Sequence, residues 1–350
     1  MKFRLLALAC AIFVSPAVAV ELPQLFTAQV PYDESEEDAR ATAYEVALAE
    51  VLLRVSGTEL VGDAELYEAL FPDPAVFVVQ FRPGPDDTLF VSFDGEALEE
   101  ALRRSGQTYW GPDRPLTLVW LAVDWGQGER EIIGATDAEP DPDDARSIDR
   151  NRLLRERILD FAERRGLPVV FPLLDSQDMT AVAFSDVWGG FDEAVIAASE
   201  RYAVDSVLIG RVRTTGFERN RWTYYFGPEQ RIWTGEPELV VTQIADLLAG
   251  EFAIRGDAPI RMVDLNVSGI TSVEAYGSVQ SLLGDIAMID SYSIAEVAGD
   301  RVRFRVQAVG GAERLARALR FAGLLEEERL DMDGFDFGEP LSSLDFYYSP

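Results

Sequence analysis

Histidine is absent from the 350 residues, cysteine occurs once, at Cys10, and lysine once, at Lys2. These gaps exclude a good deal of chemistry. Past its first ten residues the chain has no thiol nucleophile, no disulfide, no Ser–His pair and no Cys/His zinc site. It also has no lysine for a Schiff base or a phosphate loop. Any catalysis falls to Asp, Glu, Tyr, Ser or Arg. No Rossmann glycine pattern, kinase loop or Gly-x-Ser-x-Gly elbow is present either.

Long apolar runs are also missing. The run Leu5 to Val14 follows Lys2 and Arg4 and precedes Ala17-Val18-Ala19. It is about half the roughly 20 residues that a membrane helix needs. This is the pattern of a secretory signal peptide over 1–19, cleaved after Ala19. Ala7-Leu8-Ala9 makes a poor lipobox before Cys10, so the expected product is periplasmic, without a lipid anchor or a transmembrane segment in the mature chain.

Positive charge is scarce. There are 31 Lys+Arg against 61 Asp+Glu, net −30, and loss of the two cations Lys2 and Arg4 takes the net charge to −32. Such a field repels nucleic acid and anionic lipid and suits cations or basic partners. The plainer account is a hydrated acidic surface that keeps the protein in solution in a saline or alkaline habitat.

What is present is material for cores: 48% hydrophobic and 11% aromatic residues. A chain of this length exceeds one ordinary core. The patterning predicts an α+β protein of three small sheet-helix modules. Residues 20–112 read β-α-α-β-β-α. "SEEDARATAYEVALAEVLLRVSG" is a long amphipathic helix, with Ser35 as N-cap, Ala43, Val46, Ala47 and Val51 at helical spacing, and Gly57 at its end. Residues 113–256 read as an α/β module. "PLTLVWLAVDW" and "LPVVFPLLD" are buried strands, Asp149 to Arg165 is a helix, and "RWTYYFG" and "QRIWTGE" form a hairpin. Residues 257–325 read β-α-β-β-α, a ferredoxin-like order, with Ser272 as a cap and Ala298-Gly299-Asp300 as a turn. Residues 326–350 are an acidic, aromatic tail, either flexible or an added strand.

The most distinctive stretch is "AFSDVWGGFDEA", 183 to 194. Asp186, Trp188, Gly189, Gly190 and Asp192 are its candidate binding residues. Trp188 beside Asp186 could stack on a sugar. The glycines before a helix start could present N–H groups to an anion, but three neighbouring carboxylates oppose that. The structural reading has Asp192 capping the helix of 193 to 202, the glycines making a turn, and Trp188 packed on the sheet. Asp175, Asp178, Asp186, Asp192 and Glu193 could supply a glycosidase pair, which needs two carboxyls roughly 5 to 10 Å apart across a cleft. With 61 acids, clusters also arise by composition alone. For calcium, Asp331, Asp333 and Asp336 with Glu339 are weak candidates, as are Asp137, Asp141, Asp143 and Asp144. Neither loop has the twelve-residue EF-hand spacing. No cofactor is expected.

The segments "RPLTLVWLAVD", "RGLPVVFPLLD", "SDVWGGFDE" and "RYAVDSVLIGRV" resemble an uncharacterised family of proteobacterial exported proteins, the domain of unknown function 2066. The resemblance implies a periplasmic protein and supplies no activity. "RYAVDSVLIGRV" is also similar to the Ala/Tyr-Asp-x-Val-Leu-x-Gly strand of the TolB amino-terminal, curli-assembly and penicillin-binding-protein-activator lipoprotein domains, which implies an envelope adaptor with a TolB-like middle module. The expectation is a non-enzymatic periplasmic adaptor with protein partners in cell-envelope assembly or maintenance. The alternative is a carboxylate-dependent hydrolase or binder of envelope glycan that uses Asp186, Trp188 and Asp192.

Overall fold

A computed structural model of the chain describes residues 20–21, 24–35, 37–136, 145–215, 219–227, 229–286, 288–322, 324–328 and 343–349. The signal segment 1–19, the acidic loop 137–144 and the tail carboxylates Asp331, Asp333, Asp336 and Glu339 lie outside these residues. Helices and strands combine in several small sheets, an α+β architecture.

The N-terminal elements are β1 (Val20–Glu21), β2 (Thr27–Pro31), α1 (Ala39–Ser56), α2 (Thr58–Gly62), α3 (Ala64–Leu70), β3 (Val78–Pro83), β4 (Thr88–Phe93), α4 (Gly95–Arg104), β5 (Thr108–Tyr109) and β6 (Asp113–Arg114). Strands pair antiparallel in the order β2-β4-β3. Helix α1 lays Ala43, Ala47, Leu48, Val51, Leu52 and Val55 into this core. That stripe follows the 3.6-residue period. Val46 falls off it and is 43% exposed. The N-cap differs from expectation. Asp38 holds the position in a left-handed conformation (φ 60°). Ser35 is instead captured by Asp33, which accepts its N–H at 2.9 Å and its hydroxyl at 2.7 Å. Gly57 ends the helix at φ 84°, where a Cβ would be strained.

The central sheet runs β12-β11-β10-β7-β8. Its elements are β7 (Thr117–Gly126), β8 (Glu129–Ile133), α5 (Ala145–Arg164), β9 (Val169–Val170), α6 (Ser176–Ala181), α7 (Phe184–Gly189), α8 (Asp192–Ser199), β10 (Ser206–Arg213), β11 (Arg221–Phe226), β12 (Glu229–Thr234), α9 (Pro237–Phe252) and β13 (Ile254–Arg255). Strands β7 and β10 are parallel neighbours, and β11 and β12 extend the sheet as an antiparallel hairpin. Strand β7 is buried on both faces, which explains its unbroken apolar sequence. Val119, Leu121 and Val123 face α5 and α9; Leu118, Trp120 and Ala122 face α7 and α8. Two expectations are corrected. Helix α5 starts four residues before Asp149. "LPVVFPLLD" is not a buried strand: only Val169 and Val170 pair with β7, and Leu173 is 55% exposed. Pro168 and Pro172 bracket the pair and lack the N–H groups that would continue the ladder.

The last sheet is β15-β16-β14-β18-β17, from β14 (Ile260–Ser268), α10 (Val273–Asp285), β15 (Ile289–Ala298), β16 (Arg301–Val309), α11 (Ala312–Phe321), β17 (Leu325–Glu327) and β18 (Ser343–Tyr348). The β-α-β-β-α order and the Ser272 cap are as expected, with Ser272 Oγ accepting from Ala275 N at 3.1 Å. The tail is more than an appendage. Strand β18 inserts parallel to β14 and between it and β17, and buries Leu344 and Phe346. Burial of an apolar side chain of that size is worth about 1.5–3 kcal/mol.

Short pairings tie these sheets together. Strand β1 pairs with β6, β5 pairs with β13, and Trp110 N donates to Val55 O at 2.7 Å.

Candidate functional site

The distinctive stretch lies on the face of the central sheet covered by α7 and α8. Residues 184–189 wind into α7 rather than a bare turn. Asp186 reaches back to accept the Ala183 N–H at 2.8 Å, a carboxylate in the first turn where the helix dipole favours it. Gly190 closes the helix in the left-handed region (φ 82°) and sends its N–H to Asp186 O. The Phe191 ring lies across Gly189, where a Cβ would come within 2.8 Å of it.

Asp192 is not the cap. Phe191 occupies that position, and Asp192 is the first helical residue. Its Oδ1 accepts from Arg211 Nη2 at 2.9 Å and its Oδ2 from the Tyr225 hydroxyl at 2.8 Å. The reason is tertiary: β10 and β11 carry a guanidinium and a phenol beneath the start of α8, and an ion pair with a second bond from the phenol engages both carboxylate oxygens. Arg211 also donates Nε to Val187 O at 2.7 Å. Burial and the Asp192 carboxylate push the Tyr225 hydroxyl up to about 12. Trp188 is half-buried, stacked on Phe184 with centroids 5.4 Å apart, and the Arg213 guanidinium sits 5.2 Å from its ring centre. Glu193 is exposed.

A second charged cluster lies on the same helical layer. Asp178 is fully buried. Its Oδ1 accepts from Arg201 at 2.9 Å, and its Oδ2 accepts from Leu174 N at 2.9 Å and from the Tyr202 hydroxyl. Asp175 takes both Nη groups of Arg201 at 2.8 Å and caps α6 through the N–H groups of Gln177 and Asp178. Hydrogen bonds from Arg201 hold the Asp175 carboxyl well below the usual range. Burial and Asp178 raise Tyr202 to about 12. Asp175 and Asp178 thus share one arginine, Asp192 holds another, and Asp186 is occupied by main chain. Among the described residues no group of His, Cys, Asp or Glu is arranged to hold a metal ion, and no helix is long and apolar enough to cross a membrane.

The feature that the sequence does not announce is Arg114. It is completely buried, and all five of its hydrogen bonds go to main-chain carbonyls. Nε donates to Gly111 O at 2.9 Å, Nη1 to Gly166 O at 2.9 Å and Arg165 O at 3.4 Å, and Nη2 to Arg54 O at 2.9 Å and Trp110 O at 2.7 Å. Its guanidinium lies 3.9 Å from the Trp110 ring centre. Burial drags its pKa down to about 9. Gly166 makes room: a Cβ there would sit 2.4 Å from Arg114 Nη1. Beside this junction opens a cleft of about 340 Å3, lined by Arg54, Leu116, Leu159, Leu167, Val169 and Val170 among others. The one trace in the sequence is Gly166 after a basic pair, which does not by itself point to Arg114.

Residues 19–111 match the model of a family described as a domain of unknown function (DUF8605). The matched segment holds β1 to β5 and ends three residues before Arg114. The Arg211–Asp192 and Arg201–Asp178 clusters therefore lie outside it, as do all four segments that carry the resemblance to exported proteins. No curated protein matches the chain.

Proposed function

We propose that this chain is a non-enzymatic periplasmic binding protein, an adaptor in cell-envelope assembly or maintenance. The observation that supports this reading is the employment of its acids. Asp175, Asp178 and Asp192 accept bonds from arginine and tyrosine, and Asp186 accepts one from main chain. A general acid needs a carboxyl kept protonated by an apolar site, as in glycoside hydrolysis. Asp175 is driven the other way, by Arg201. The signal-like leader and the resemblance of residues 114–212 to exported proteins support a periplasmic setting. The likeness of 201–212 to envelope-adaptor strands supports binding as the mode of action.

Crosslinking in intact cells, followed by mass-spectrometric identification, tests this. The expected result is an envelope protein that recurs in replicates and captures this chain reciprocally. Recovery of this chain alone, or release of sugar from purified envelope glycan by the purified protein, overturns it.

A further inference from the structure

The buried arginines beside the cleft carry an inference independent of the adaptor reading. Arg54, Arg114 and Arg165 are each at least nine-tenths buried around Gly166. No buried carboxylate accompanies them. The two buried acids among the described residues, Asp124 and Asp178, pair with Arg130 and Arg201. The acids within reach of the three lie at the surface. Glu50 is 3.8 Å from Arg54 Nη2 and 41% exposed, and Asp246 is 2.6 Å from Arg165 and 57% exposed. Arg114 has carbonyl dipoles and the Trp110 ring face but no carboxylate bond. In a chain of net −30 this interior pocket of positive charge stands out, and burying charge without a counterion is costly.

Arg54 brings that charge to the cleft. It is 5% exposed, its Nη1 donates to Gln24 O and Thr27 O, and its Nε has no partner. Nε is walled off from solvent, so the donor left for a ligand is Nη2, which has only Glu50, 3.8 Å away and beyond hydrogen-bond distance. Most of the lining is apolar, with Leu116, Leu159, Leu167, Val169 and Val170 among it. The acid that lines the cleft, Glu163, is exposed to solvent. An apolar trough that ends on a buried, under-compensated guanidinium is complementary to an amphipath with an anionic head. At about 340 Å3 the cleft is at the small end of the roughly 300–1,000 Å3 of small-molecule sites, which suits one chain rather than two.

We propose that this cleft binds a single-chain amphipathic anion, its head at Arg54 and its tail along Leu116, Leu159 and Val170.

Titration calorimetry on the full mature chain, with probes kept below micelle formation, tests this. Decanoate and decyl phosphate stand for carboxylate and phosphate heads, and whichever binds more tightly names the source. Decanol is expected to bind about tenfold or more weakly than the better anion, the loss of one charge-assisted bond. Arg54→Gln should cause a loss of similar size. Glu163→Gln removes a competing negative charge and should tighten anion binding, which a purely structural role for the cleft would not produce. If Arg54→Gln fails to fold, Val170→Trp at the half-open mouth fills the trough and should abolish binding without disturbing the core. Equal binding of decanol and both anions, unchanged binding in Val170→Trp, or no binding of either anion overturns the proposal.

Discussion

Arg114 and Arg201 are the same residue held by opposite means. Arg201 is one-quarter exposed and donates to two carboxylates, so its charge is neutralised where it sits. Arg114 is fully buried and donates to carbonyls alone, so its donors are satisfied while its charge is not. The difference follows from what each one joins. Arg201 couples the end of α8 to α6 within one helical layer. Arg114 gathers the end of α1, the 110–111 link and the 165–166 turn after α5, three segments distant in sequence. A planar fork of five donors can span such a junction, and a compact ammonium cannot. Carbonyls at the ends of helices are spare acceptors. The chain has thus tied its first elements to the central sheet with dipoles, and accepted the cost of an uncompensated charge.

The comparison breaks first at Arg114. Arg114→Ala leaves the buried carbonyls of Arg54, Trp110 and Gly166 without donors. At about 1–3 kcal/mol for each unsatisfied group, a loss of about 3 kcal/mol or more is expected. Urea unfolding followed by far-UV circular dichroism should show a lowered midpoint, and Arg114→Lys, with three donors on a flexible stem, should recover little of it. A wild-type midpoint in Arg114→Ala would mean that the carbonyl cradle is incidental.

Asp178 comes next. Its removal strands the Tyr202 hydroxyl and Leu174 N inside the helical layer and leaves Arg201 to Asp175 alone. Asp178→Ala should cost about 2–3 kcal/mol in the same unfolding experiment. Asp178→Asn keeps an acceptor for one neighbour and should cost less. Because the pair is local, the loss should leave the β5–β13 and β1–β6 ties intact. Amide exchange at Thr108 and Tyr109 should therefore stay slow in Asp178→Ala and quicken in Arg114→Ala. Equal quickening in both variants would erase the distinction between a local pair and a junction pin.

Local patterns in the sequence were legible because their partners are near. The α1 stripe from Ala43 to Val55, the Ser272 cap and the hairpin around Gly299 each depend on neighbours within a few residues. Ser35 departs from expectation on local grounds: Asp33, two residues back, captures it and Asp38 takes the cap position. Asp192 departs for the opposite reason, since it leaves the cap for Arg211 and Tyr225, 19 and 33 residues on. For Leu344 and Phe346 the sequence leaves two readings, a flexible tail or an added strand, and the added strand holds; the partner that decides it, β14, lies about eighty residues earlier in the chain. In the stretch 183–194 the carboxylates have partners that the local pattern does not mark: Asp186 takes main chain, and Asp192 takes Arg211 and Tyr225. Arg114 left no pattern at all, since carbonyl acceptors belong to every residue and mark none.

The finest test separates charge from geometry at Asp175. This carboxylate is 42% exposed, so solvent screens much of its attraction to Arg201 and its contribution is the smallest of the three. Asp175→Asn preserves an N-cap acceptor for Gln177 and Asp178 while it deletes the charge. The folded-state pKa of Asp175 lies below its ordinary value of 3.8. Its stabilisation is therefore fully present above that value and is lost as pH falls through the lower, folded-state one. Wild type and Asp175→Asn should differ slightly at neutral pH and converge as the solution is acidified below about pH 4, with the gap at neutral pH narrowing in high salt. Arg114 makes no carboxylate contact, so the effect of Arg114→Ala should not change over that acid range. Should the Arg114→Ala and Asp175→Asn deficits shrink together in acid, the claim that one arginine rests on carbonyls and the other on carboxylates would fail.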